Sequence, residues 1–215
     1  MNESRPALAA AVPASIWACG PADFPDPEQL WPTAILRRAV TEFSRHNARV
    51  QLLAAARRHQ LAARRAVTDL AGIGREVTTA TMDLPAARGE ADLVIASLLP
   101  DPAHPYSPDT FTHLAFAAAD QLRGGGILAV LTRCTHTPAG ILDDPTGPVV
   151  SAAQAADLLY LAHVVAAPIR DDAIATPERA EHGEREPRHA VVHTDLTVFL
   201  RPDDQHLPAA LDSAA

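Results

Sequence analysis

The chain has 215 residues, of which 47% are hydrophobic, and a formal net charge of -8 at pH 7. This length favours one domain with a sizeable core, and the acidic balance argues against a broad nucleic-acid surface, because phosphate binding needs clustered cations. No apolar run is long enough to cross a bilayer, and the Ala-rich N-terminus lacks the basic and compact apolar regions of a signal peptide.

The first third of the chain predicts a disordered start followed by a helix, a strand and a second helix. Residues 1–14 are rich in Ala and Pro and are predicted to be disordered. A short extended segment at residues 15–18 leads into a Pro-rich loop. Apolar residues at helical spacing follow Pro32 and predict a helix, and residues 49–53 predict a short strand. The Ala- and Arg-rich residues 54–65 predict the second helix.

The next segment is ambiguous. Residues 67–70 fit either a second strand that ends at Asp69 or the last turn of the preceding helix. After two glycines, the β-branched residues 77–82 predict a strand. Because only a few residues separate Asp69 from Val77, the second strand and its following helix are predicted to be shortened.

Two buried strands and a helix are predicted around the middle of the chain. The continuous apolar run at residues 91–96 is typical of a parallel strand covered on both faces. After a Pro-rich loop, Ser107 caps a helix that has Pro108 in its first turn. Three glycines at 124–126 are predicted to end this helix, and residues 127–132 predict the next strand.

The last third of the chain predicts a helix at residues 149–159 and a strand at residues 160–167. Residues 170–189 are charged and turn-rich and are predicted to be mobile; whether they form a recognition element stays open. Alternating residues at 190–200 predict the last strand. The tail at residues 203–215 is predicted to be disordered.

Four segments carry a resemblance to a known family: SIWA at 15–18, AVTEFSRHNARV at 39–50, LRGGGILAV at 122–130 and HAVVHTDLTVFLRP at 189–202. They resemble segments of the actinobacterial DNA methylases of the amino-methyltransferase type, which use S-adenosylmethionine to methylate exocyclic amines of cytosine or adenine. The closing strand is the most specific match. The resemblance implies one α/β domain over residues 15–202 with a Rossmann-like methyltransferase fold, a three-layer sandwich with a mostly parallel sheet and an antiparallel last strand.

The sequence departs from this family at the turn after the first strand. Active members have an acidic residue and a Gly-rich turn there, whose bare backbone approaches the cofactor at a helix N-terminus. The matching positions here are LLAAAR at residues 52–57, without a glycine. The candidate cofactor-binding residues are Leu53 at the end of this strand and two strand-end acids, Asp69 and Asp83, which suit hydroxyl and amino groups. The simpler interpretation, and the favoured one, is that each acid caps a turn.

A second departure lies at the catalytic turn. The family has a polar residue, two prolines and an aromatic there; the polar side chain and a backbone carbonyl bind the target amine, and the aromatic stacks on the flipped base. The matching turn here is Ser97-Leu98-Leu99-Pro100, with no aromatic directly after it. The resemblance makes Ser97 and Pro100 candidate catalytic residues, with Tyr106 as a displaced aromatic ring.

Metal and redox sites have weaker support. His189 and His193 are four residues apart, and His193 shares a strand face with Asp195, which suits a metal pair. No third ligand is evident, so no metal is predicted. Cys19 and Cys134 lie far apart without metal-ligand spacing, which favours a reduced, cytoplasmic protein.

Three functions are consistent with these departures. We favour a methyltransferase-like protein that is degenerate at the cofactor loop and the catalytic turn and acts as a binding or regulatory partner, or as a homo-oligomer. The second is a divergent but active methyltransferase that acts on a nucleic-acid base amine or a small molecule. The third is a purely structural assembly subunit. S-adenosylmethionine is the predicted cofactor of the active form alone; net charge does not support a nucleic-acid partner, and no membrane partner is predicted.

Overall fold

The computed structural model describes residues 15–19, 29–82, 88–99, 106–136, 141–170, 173–174 and 193–203. The predicted disorder at residues 1–14 and in the tail beyond residue 203 lies outside the described residues, as do most of residues 170–189. No helix in the described part of the chain is long and apolar enough to span a membrane.

Helices and strands are interspersed along the chain. The helices are α1 (Thr33–Phe43), α2 (Gln60–Asp69), α3 (Pro108–Gln121) and α4 (Thr146–Ala155), and a short 3-10 turn covers Arg57–His59. The strands are β1 (Ile16–Cys19), β2 (Arg49–Ala54), β3 (Glu76–Thr81), β4 (Ala91–Ser97), β5 (Leu122–Thr132), β6 (Thr135–His136), β7 (Leu142–Asp143), β8 (Leu159–Arg170), β9 (Ala173–Ile174) and β10 (Thr194–Leu200).

The main sheet has the strand order β1-β8-β10-β5-β4-β2-β3, and the two-residue β9 pairs with β8. Strand β10 runs antiparallel to both of its neighbours, whereas β1, β2, β3, β4, β5 and β8 pair in parallel where they are neighbours. This arrangement confirms the predicted mostly parallel sheet with an antiparallel last strand.

Helices cover both faces of the sheet and make the sandwich three-layered. The apolar sides of α1 and α2 pack on one face, and those of α3 and α4 pack on the other. The central strands are therefore buried on both sides, which explains why β4 is apolar at nearly every position instead of alternating. Phe199 on β10 is the largest fully buried side chain in the core between the sheet and helices α3 and α4.

The structure resolves the ambiguous segment at residues 67–70. These residues form the last turn of α2 and the residue after it, and α2 ends at Asp69. The strand alternative is therefore wrong, and β3 pairs directly with β2 in the place of the second strand. Beyond β3 the described residues contain no further strand, so the sheet is shortened at this edge.

Other boundaries also differ from those predicted. The second helix, predicted over residues 54–65, begins at Gln60, because β2 extends to Ala54 and a 3-10 turn covers Arg57–His59. Helix α4 ends at Ala155, because Asp157 adopts a left-handed backbone with φ 58° and Leu159 already belongs to β8. Helix α3 ends at Gln121, before the glycine run, which lies inside β5. The Arg201 guanidinium donates hydrogen bonds to the carbonyls of Ala119 and Leu122, and so satisfies groups that a helix end leaves exposed.

Gly125 is the glycine that this junction requires. Its φ is 75°, and its N–H donates to the Arg201 carbonyl at 2.9 Å. We expect Gly125→Ala to lower the free energy of unfolding by about 1–2 kcal/mol, because a Cβ is strained in the left-handed region. Urea unfolding followed by circular dichroism measures this loss.

Gly147→Ala is the matched control. Gly147 lies in the first turn of α4, has no positive φ, and nothing lies within 4 Å of the position of an added Cβ. Alanine there should leave stability unchanged or raise it by up to about 1 kcal/mol. Equal losses in the two variants would contradict the strained backbone at Gly125.

Candidate functional site

The chain changes direction across the sheet between β2 and β4. Strand β2 is followed by β3 on one side, whereas β4 is followed by β5 on the other side. In open α/β sheets, ligands bind outside the carboxyl ends of the strands at such a switch point. The ends of β2 and β4 are therefore the expected cofactor site.

The turn after β2 is built from residues with side chains. Ala54 and Ala55 are buried, and Ala56 has an extended backbone with φ -150° that leads into the 3-10 turn. Leu53, a predicted cofactor-binding residue, is fully buried in the core on the α3 and α4 side. His59, at the end of the 3-10 turn, is also buried, with 5% of its surface exposed.

The end of β4 is held by the segment that precedes α1. The Ser97 hydroxyl donates a hydrogen bond to the Leu30 carbonyl at 2.5 Å, and the Leu99 N–H lies 3.4 Å from the same hydroxyl oxygen. The Leu98 N–H donates to the Leu131 carbonyl at 2.9 Å. The predicted catalytic hydroxyl thus has a structural partner, and Pro100 lies outside the described residues.

Tyr106 joins the two strand ends. Its hydroxyl lies 3.4 Å from His59 Nδ1 and 3.3 Å from the Leu99 carbonyl oxygen. The ring meets the imidazole edge-on, with centroids 6.1 Å apart. The structure therefore brings Tyr106 to the turn that holds Ser97, as the displaced-ring hypothesis requires, but packs it against the protein's own histidine.

The two acids are placed differently. Asp69 is the last residue of α2, which begins near the carboxyl ends of the parallel strands and runs back along the sheet. Asp69 therefore lies at the opposite edge, where the strands begin. Its backbone carbonyl accepts a hydrogen bond from the Arg37 guanidinium at 2.7 Å. Asp83 lies outside the described residues. Sequence reasoning missed Thr81, the last residue of β3, whose buried hydroxyl has no hydrogen-bond partner among the described residues.

These strand ends do not fit the cradle that the family resemblance implies for S-adenosylmethionine. A bare glycine backbone is replaced by Ala54 and Ala55, whose Cβ atoms are buried. The polar groups of Ser97, His59 and Tyr106 hydrogen-bond within the protein.

A second polar cluster lies further along the same edge, on β8 and at the start of β10. Both oxygens of the buried Asp195 carboxylate face imidazoles: His163 Nε2 lies 2.9 Å from Oδ1 and His193 Nε2 lies 3.3 Å from Oδ2. The hydrogen bond that His193 donates to the Asp195 carboxylate raises the pKa of His193, against the opposing effect of burial. We call these three residues the His–Asp–His cluster.

The sequence pairs His193 with Asp195 but gives no signal for His163, which is 30 residues away. The sheet register reveals its place. Asp195 is opposite Val165 on β8, and His163, two residues before Val165, lies on the same face of that strand. No group of three or more His, Cys, Asp or Glu among the described residues is arranged to hold a metal ion.

Cys134 and Asp144 adjoin the cluster. Burial, followed by the charges of Asp144 and Asp195, raises the pKa of the Cys134 thiol to about 11. Hydrogen bonds from Thr146 at the start of α4 lower the pKa of the Asp144 carboxyl. Near neutral pH the thiol is therefore protonated and the carboxyl is ionised.

The fold has relatives among solved structures. The [4+2]-cyclase SpnF gives a TM-score of 0.50 at 14% identity over 83% of this chain and 86% of that chain. Geranyl diphosphate C-methyltransferase from Streptomyces coelicolor A3(2) gives 0.46 at 11% identity, over 87% and 90%. The 1,6-didemethyltoxoflavin-N1-methyltransferase from Burkholderia thailandensis gives 0.45 at 13% identity, over 83% and 80%.

At these identities the likeness establishes the fold alone, and with the strand order it confirms the predicted Rossmann-like methyltransferase fold. No protein-family model and no curated protein matches the sequence. Because one of these relatives is a cyclase, the fold does not by itself assign methyl transfer.

Proposed function

We propose that this chain is a methyltransferase-like protein that is degenerate at the cofactor site and acts by binding a partner protein or a second copy of itself. The observation that carries the proposal is the closure of the two strand ends, where Tyr106 bridges His59 and Leu99 and Ser97 is held by Leu30. A descent from DNA methylases of the actinobacterial type is part of the same proposal and is supported by the four matching segments. So is a reduced, cytoplasmic location, which the free thiols of Cys19 and Cys134 support.

The contacts that fill the ends of β2 and β4 argue against cofactor binding and catalysis. A cofactor at the switch point needs backbone N–H groups that a ligand can approach. Here Ala54, Ala55 and His59 are buried at the end of β2. Opening this site for a ligand would expose apolar surface and break the hydrogen bond between Tyr106 and His59.

Calorimetric titration with S-adenosylmethionine, and separately with S-adenosylhomocysteine, tests the proposal. We expect no heat of binding from folded protein at ligand concentrations far above the micromolar range. Binding with a free energy near -8 kcal/mol, which corresponds to about 1 μM, would overturn degeneracy.

A divergent but active methyltransferase is the second candidate, and the buried Thr81 hydroxyl favours it. This hydroxyl lies at the carboxyl end of β3, two residues before Asp83, and has no partner in the described part of the chain. A bound ligand would satisfy it. If the cofactor binds, Thr81→Val and Asp83→Ala should weaken binding, whereas Asp69→Ala at the opposite edge should not.

A further inference from the structure

We propose that the His–Asp–His cluster is a binding site for a small organic amine in its protonated form. The cluster lies on β8 and β10, away from the strand ends of β2 and β4. The inference therefore goes beyond the proposed function and does not depend on whether the cofactor binds.

The cluster presents ring nitrogens of known orientation. Because Asp195 engages Nε2 of both imidazoles, Nδ1 is the ring nitrogen left for a ligand. Neither ring makes another hydrogen bond within the described residues, and about a third of each side chain is exposed, 35% for His163 and 36% for His193. In the neutral imidazole with the proton on Nε2, Nδ1 is an acceptor. The site therefore suits a ligand that donates hydrogen bonds.

Charge selects a cation among such donors. Asp143 and Asp144 are exposed beside the cluster, and together with Asp195 they give three carboxylates. Arg133 is the basic residue that acts on His193, and its guanidinium lies 3.3 Å from the Thr194 hydroxyl. The surplus of carboxylates repels anions and attracts an ammonium group.

The adjoining hairpin supplies apolar contact for the rest of the ligand. Strands β6 and β7 pair at Thr135 with Asp143, next to Cys134. Ile141 and Leu142, directly before Asp143, are large apolar side chains with 66% and 58% of their surfaces exposed. An arylalkyl or alkyl ammonium ion combines the N–H donors and the apolar body that this arrangement accommodates.

The titration of His193 sets the sign of the pH dependence. At low pH the imidazolium carries charge and a proton on Nδ1, so it repels an ammonium ion and cannot accept from it. At higher pH the neutral ring accepts. The charged groups that act on this ring are Asp195, two residues along the chain, and Arg133 after β5, and His163 on β8 binds the other oxygen of the same carboxylate.

The test uses benzylammonium as the probe, since it stays protonated over this range as a lysine side chain does. Ligand-observed NMR titrations of the full chain at about pH 6 and pH 8 give the two affinities. We expect binding about tenfold tighter at the higher pH, the scale of effect that one adjacent charge has on a neighbouring group. Benzoate should not bind.

Three variants separate the site from general attraction to an acidic protein. The double substitution of His163→Gln and His193→Gln should remove the pH dependence, and Asp143→Asn should weaken binding at both pH values. His46→Gln, an exposed histidine at the opposite edge of the sheet, is the control and should behave as wild type. Equal affinity at the two pH values, or a pH dependence that survives in a correctly folded protein with both His163→Gln and His193→Gln, would overturn the proposal. The amine titrations contain no S-adenosylmethionine, so their outcome is independent of whether this cofactor binds.

Discussion

Phe199→Ala should lower the free energy of unfolding by about 3–5 kcal/mol, the range typical of a buried phenylalanine. Phe199 is fully buried on β10, opposite Leu128 of β5 and Tyr160 of β8. The Tyr160 ring meets it edge-on with centroids 5.8 Å apart. Truncation leaves a cavity between strands that are held on both sides, so the surroundings can collapse only in part. Urea unfolding measures the loss.

Phe116→Ala is the matched control, because Phe116 on α3 is 51% exposed. The same truncation at this position should change stability by less than about 1 kcal/mol. A loss below about 1.5 kcal/mol for Phe199→Ala, or similar losses for both variants, would contradict the full burial of Phe199 in the core.

The sheet could be predicted from the sequence because its signal is local. The apolar run of β4 and the alternation along β10 each lie within a few residues. The run along β4 reflects the burial of both its faces, whereas β10 alternates in sequence although it is buried at every position from Thr194 to Phe199. Residues 67–70 could not be assigned to a helix or a strand, because apolar residues at positions 67 and 70 are compatible with both. The helix forms there since Val67 and Leu70 pack against the core cluster that contains α1 and α2.

The site was less predictable because its contacts join distant segments. Ser97 bonds to Leu30 across 67 residues, and Tyr106 meets His59 across 47. No spacing rule along a strand or helix reports such pairs. The resemblance identified Ser97 and Tyr106 as residues at the catalytic turn, but their present partners follow only from tertiary packing.

Asp195→Asn should have the largest effect among the polar substitutions, a loss of about 2 kcal/mol at about pH 6. The carboxylate is 4% exposed and binds two imidazoles, and hydrogen bonds to a charged group contribute about 1.5–3 kcal/mol. Both histidines are about one-third exposed, so solvent screening keeps the effect at the lower end of this range. Asp120→Asn is the control: Asp120 forms an exposed pair with Arg88 at 3.5 Å, and its loss should cost less than about 0.5 kcal/mol.

The destabilisation of Asp195→Asn should also depend on pH. Because Asp195 raises the pKa of His193 in the folded protein, the fold holds this proton more tightly than the unfolded chain does. This contribution is complete below the ordinary histidine pKa of about 6.5 and is lost as pH rises through the raised value. Urea unfolding of wild type and variant at about pH 6 and pH 8 should therefore show a smaller difference at the higher pH. A difference that grows with pH would mean that His193 is not protonated against Asp195 in the folded protein.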